Sequence, residues 1–132
     1  MVAISFSVFK EKLLSGEKNQ TIRPFSECRF CKLKKARNGK YNLQIYWKLR
    51  TKEAEKLFDA RCTEVFLIEL DPLSKIADDG LRLRMTEEEF EELWKRDGFE
   101  TEEQFWKFFQ TKYGDLRNKL FMVIRFEKIE TC

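Results

Sequence analysis

Ser15-Gly16-Glu17-Lys18-Asn19-Gln20-Thr21-Ile22-Arg23-Pro24 is the stretch on which the reading of this chain turns. A glycine directly after a short helix releases the chain. The extended residues that follow set Thr21 and Arg23 two positions apart, and therefore on one face of a strand. Lys18 brings a second cation within the same six residues. Such a cluster can grip a phosphate. Alternatively, a lysine held among apolar groups and near Arg23 can lose its proton and become a base for Thr21. The spacing by itself equally describes two solvated cations after a helix.

Upstream, Val2 to Phe6 alternates as a strand does, and Ser7 is placed to cap a short helix running through Ser15. Phe9, Leu13 and Leu14 form one face of that helix and Gly16 stops it. Downstream, residues 27–40 lack a clean period and read as a basic loop leading, through Asn38-Gly39, into a hairpin. Tyr41 to Leu49 and Cys62 to Leu70 are rich in aromatic and branched residues and read as strands. Between them, residues 51–58 read as a short helical turn or a long loop with Thr51 as a cap. Asp71-Pro72 breaks the second strand, and residues 81–84 add a brief extended piece. Thr86 to Glu89 and Thr101 to Gln104 are capping boxes. They open one helix with Phe90, Leu93 and Trp94 inward, ended by Gly98, and another with Phe105, Phe108 and Phe109 inward, ended near Tyr113-Gly114. Leu120 to Ile129 is the last strand. The order predicts one α+β domain over residues 1–132, a small mixed sheet or barrel with helices around it and no parallel crossover.

The chain has 132 residues, of which 42% are hydrophobic and 37% charged. That is enough apolar content for a core, and no apolar run approaches the ~18 residues that span a bilayer. The charge content is of the kind seen in thermophile proteins. Its 0 histidines exclude the Ser/His/Asp triad and every His-containing zinc site. Cys28-Arg29-Phe30-Cys31 is a CxxC, but a tetrahedral zinc site would also need Cys62 and Cys132, so no metal and no cofactor is expected. Nothing resembles a secretory signal, which makes the cytoplasm the expected location and a membrane an unexpected partner. The net charge of +3 conceals an asymmetry: residues 1–62 carry 15 Lys+Arg against 6 Asp+Glu, and residues 63–132 carry 11 against 17. A basic half of this size suits a polyanion.

Within that half, Arg29, Lys32, Lys34, Lys35, Arg37 and Lys40 are interleaved with Phe30 and followed by Tyr41, Tyr46 and Trp47. Cations neutralise phosphates while an aromatic face stacks an unpaired base, which is the composition of a single-strand or loop reader. Tyr46 and Trp47 are strand neighbours and point to opposite faces, so at most one is a platform.

Phe6, the helix end Leu13-Leu14-Ser15-Gly16 and the Gly16 to Pro24 run resemble the signature of the ASCH domain family. Tyr46 to Glu53 resembles archaeal members, and Lys95-Arg96-Asp97-Gly98-Phe99 resembles the acidic-Gly-Phe element before the family's second helix. The resemblance covers nearly the whole chain outside residues 27–40. It implies a PUA-like β-barrel and an RNA-binding role. The expected contact set joins Lys18, Arg23, Trp47, Lys48 and Arg50 to the basic-loop residues Arg29, Lys32, Lys34, Lys35, Arg37 and Lys40, which composition alone suggests. It also implies an alternative, hydrolysis of the acetyl amide of N4-acetylcytidine. Lys18 and Thr21 match that reaction's lysine and threonine, Asp97 stands where its glutamate is expected, and Arg23 lies near the oxyanion. Ribonuclease activity is a third, weaker implication.

Overall fold

The computed structural model describes residues 2–71, 76–78, 85–117 and 119–129. The elements in chain order are β1 (Val2–Phe6), α1 (Lys10–Ser15), β2 (Gln20–Pro24), α2 (Glu27–Arg37), β3 (Leu43–Trp47), β4 (Glu55–Asp71), β5 (Ile76–Asp78), α3 (Glu87–Arg96), α4 (Glu102–Tyr113) and β6 (Leu120–Lys128). The fold is α+β. Five strands follow one another as β1-β3-β4-β6-β2 in a curled, mixed half-barrel, with β5 paired to β4. The Asp71-Pro72 break, the extended piece at 81–84 and Cys132 lie outside the described residues.

Residues directly opposite in neighbouring strands share a face, so the register separates two cores. Met122, Ile124 and Phe126 of β6 face inward with Ile4, Ile45 and Val65, under Leu13 of α1 and Leu33 and Ala36 of α2. Phe121 and Val123 face the other way, against Phe90, Leu93 and Trp94 of α3 and Phe105, Trp106 and Phe109 of α4. A bulge between Cys62 and Glu64 inserts one residue into β4. Cys62 and Val65, three apart, consequently both face the inner core.

Several local expectations are corrected. The helix α1 does not start on Ser7: Phe9, at φ 63°, occupies the N-cap, and its carbonyl accepts from the Leu13 amide. With only six residues α1 buries Leu13 alone, and Leu14 is exposed. Residues 27–37 form a helix instead of a loop. The Ser26 hydroxyl accepts from the Arg29 amide at its N-terminus, and Phe30, Leu33 and Ala36 make a stripe three residues apart. Straight-chain Lys and Arg have high helix propensity but hide so narrow a stripe from any period count. Asn38-Gly39 ends this helix and is no hairpin turn. The Thr51 hydroxyl accepts from the Glu53 amide in a tight turn. The chain then enters β4 at Glu55, seven residues earlier than expected, because Glu55 to Ala60 pairs with β3. Finally, β1 and β3 pair in parallel, joined through α1, β2 and α2, so a parallel crossover is present after all.

Candidate functional site

The open edges of the half-barrel, β1 and β2, are bridged by side chains. Arg23 donates through Nη2 to the Ser5 carbonyl, and Arg29 donates to the Ala3 carbonyl at 3.2 Å. Beside this seam lies a cavity of about 70 Å³, where Lys18, Thr21, Arg23 and Asp97 meet the aromatic rings of Phe6 and Phe9. The four polar residues inferred from sequence therefore converge in one place.

Their positions follow from how the turn after α1 docks on the end of α3. The Asn19 amide donates to the Arg96 carbonyl, and Arg96 Nε donates to Asn19 Oδ1 at 2.7 Å. Gln20 Nε2 donates to the Leu93 carbonyl at 2.8 Å, and Lys18 Nζ donates to the Asp97 carbonyl at 2.6 Å. Donors, one of them cationic, thus meet the last carbonyls of the helix and its cap, where the dipole favours positive charge. Gly98, at φ 104°, turns the chain back immediately after Asp97. A side chain there would meet the Phe9 ring at 3.1 Å.

Lys18 is 4% exposed and Asp97 also 4%, and Lys18 Nζ lies 3.6 Å from Asp97 Oδ2. Burial pulls the lysine below its ordinary value of 10.5, Asp97 pulls the other way, and Arg23 adds to the lowering. Burial likewise pushes the Asp97 carboxyl above 3.8, against the opposing pull of Lys18 and the Gln20 amide. Lys18 Nζ also sits over the Phe6 and Phe9 rings at 5.4 and 5.5 Å. Arg23 stacks over Phe6 at 5.2 Å and donates through Nε to Thr21 Oγ1 at 3.1 Å. The Thr21 oxygen accepts from a fixed cation, which leaves its own proton free to be given away.

Gln20, Arg125 and Lys112 were not singled out from sequence. Gln20 Nε2 donates to Asp97 Oδ1 at 3.3 Å, while its Oε1 accepts from Arg125 Nε at 2.9 Å and Arg125 in turn donates to Glu64. Since the arginine can only donate, it fixes the orientation of the Gln20 amide. Lys112 of α4 lines the cavity from the other side. Alternation in β2 was the one available signal for Gln20, whose partners lie far away in sequence.

The expected RNA contact set is divided. Lys18 and Arg23 line the cavity. Lys32, Lys34, Lys35, Arg37 and Lys40 are exposed on α2 and the turn after it, with Arg29 at the start of the same helix. Among the described residues none of these six forms an ion pair with a carboxylate, whereas Lys10, Lys12, Lys48, Lys56, Arg61 and Lys95 all do. Trp47 is half-buried against the inner core between Lys10 and Lys48, so its ring is largely occupied by packing. Arg50 is exposed and Lys48 is paired with Glu53. Cys28 and Cys31 are exposed on α2, and the buried Cys62 thiol is pushed up to about 11 by burial. Among the described residues no helix is long and apolar enough to cross a membrane. No family model, curated protein or solved structure matches the chain.

Proposed function

We propose that this chain is an RNA-binding domain of the PUA-like, ASCH kind, which holds the RNA backbone along α2 and presents the Lys18, Thr21 and Arg23 cavity to one nucleotide. The observation that carries this reading is the row of six exposed cations on and beside α2, none of them ion-paired to a carboxylate among the described residues. On a folded surface opposite charges ordinarily intersperse, and an uncompensated row attracts phosphates by releasing their counterions. Arg23 and Arg29, anchored to adjacent carbonyls of β1, place the start of that row beside the cavity. Division of labour follows: α2 supplies affinity, and the cavity supplies discrimination. An anisotropy titration tests it with an RNA selected from a random pool and an unselected RNA of equal length. Arg23→Ala is expected to erase most of the preference between them while changing the salt slope by no more than about one phosphate contact, roughly 0.7. An unchanged preference would remove the cavity from recognition.

A second reading, hydrolysis of an acylated cytidine, is favoured by the buried Lys18 beside Thr21. A lysine whose proton is loosened by burial can take the Thr21 hydroxyl proton. The threonine oxygen then attacks the acyl carbonyl while Arg23 faces the developing oxyanion and Asp97 orients the lysine. The acyl C–N bond breaks as Lys18 returns the proton to the departing N4, and water hydrolyses the acyl-threonine to free the acid. Incubation with N4-acetylcytidine should release cytidine, detected by chromatography, and Lys18→Ala should abolish the release. Equal turnover by wild type and variant would end this reading.

A further inference from the structure

The charges around the cavity do not balance. Lys18 and Asp97 sum to zero however their proton is shared, and both Asp97 oxygens are engaged, Oδ1 by Gln20 and Oδ2 by Lys18. Arg23 and Lys112 remain, and among the described residues neither has a carboxylate within ion-pair distance. Burial and then Arg23 pull Lys112 below its ordinary value, and burial lowers Arg23, while Asp97 pulls both the other way. Two cations that line one cavity, Arg23 half-buried and Lys112 exposed, beside the hydroxyls of Ser5, Ser7 and Thr21, suit an anion of about two charges.

We propose that the cavity binds a terminal phosphate monoester of RNA, and that the groove at its mouth stacks the base of that terminal nucleotide. The inference rests on the RNA-binding reading and deepens it. A monoester carries about −1.5 to −2 charge near neutrality, matching Arg23 and Lys112, whereas an internal diester carries one. At about 70 Å³ the cavity holds a phosphate-sized group and leaves no room for nucleotides on both sides of it. Adjoining it is a shallow groove of about 590 Å³, which shares Phe9, Phe99, Phe108 and Lys112 with the cavity. Its aromatic wall is suited to one base, a contact that contributes about 1–3 kcal/mol in single-strand readers. Charge complementarity in the cavity and stacking in the groove thus select the end of a chain over its middle.

The test uses the full chain and one octaribonucleotide made in three forms: 5′-phosphorylated, 3′-phosphorylated, and with hydroxyls at both ends. The expected result is that one phosphorylated form binds about tenfold tighter than the hydroxyl-ended form, as charge-assisted bonds to a dianion require. The form that gains identifies which end is recognised. In Lys112→Gln and in Arg23→Gln the phosphorylated form should bind no tighter than the hydroxyl-ended form binds the same variant. Equal binding of all three forms, or a gain that survives both substitutions, overturns the inference while leaving the RNA reading in place. Failure of all three to bind wild type at low salt overturns both.

Discussion

Lys18 and Asp97 are the residues that the fold can least easily do without its other half. A charged side chain left alone in that environment costs several kcal/mol, because nothing replaces the water it has lost. Lys18→Met or Asp97→Ala should each lower unfolding free energy by about 3 kcal/mol in a urea titration, and the double substitution should cost less than the sum. Strict additivity would mean that the two groups do not sense each other. Their pH signatures oppose one another. The folded chain keeps the Asp97 proton at pH values above 3.8 where the unfolded chain has released it, so that group's stabilisation is full below 3.8 and is lost as pH rises through its raised folded value. Lys18 behaves inversely: its stabilisation is full above 10.5 and is lost as pH falls through its lowered value. In Asp97→Asn the acid-side slope should flatten, which thermal unfolding from pH 3 to 7 reads directly; an unaltered slope would contradict the carboxyl's raised value. Lys18, Thr21 and Arg23 were legible in the sequence because they lie within six residues. The Gln20 to Asp97 and Gln20 to Arg125 bonds span 77 and 105 residues, and no local pattern encodes such meetings.

The helices α3 and α4 were readable because cap chemistry and burial agree there: Thr86 and Thr101 accept the Glu89 and Gln104 amides. In α3 Glu89 completes the box, whereas in α4 the Gln104 side chain accepts from the Glu100 amide instead. In α2 the same chemistry was present, with Ser26 as cap, but the density of cations obscured the apolar stripe. That helix therefore offers a contrast between its faces. Leu33, fully buried, should cost about 2–5 kcal/mol when replaced by Ala. Lys34→Glu, on the exposed face, should change stability by less than about 0.5 kcal/mol. Denaturant midpoints of the two variants check this, and comparable losses would mean that the helix is not docked through Leu33. The turn between α3 and α4 is equally specific. Gly98→Ala combines a left-handed backbone with contact against the Phe9 ring, so it should destabilise the fold by more than about 1 kcal/mol and disturb the cavity wall. A fully stable variant would show that Phe9 can move aside.

Across the whole molecule the α+β composition, the strand positions near both ends and the two late helices were visible in periodicity. The curled sheet was not, since strand order depends on pairings between distant residues, and neither was the length of β4, whose first residues gain their extended form from β3. The charge asymmetry was visible and has a counterpart in three dimensions, because six of the first half's cations without an ion pair among the described residues collect on one helix and its following turn. Interaction of that surface with the RNA backbone is the central claim. It is tested most directly by the slope of log affinity against log salt for single-stranded RNA, measured by anisotropy for wild type and for the variant carrying Lys32→Glu, Lys34→Glu, Lys35→Glu and Arg37→Glu. About four phosphate contacts would give wild type a slope near −3, and reversal of the four charges should flatten the slope and weaken binding to all sequences alike. If the variant binds RNA at low salt as tightly as wild type, with the same slope, α2 is only a solvated surface and the claim is wrong.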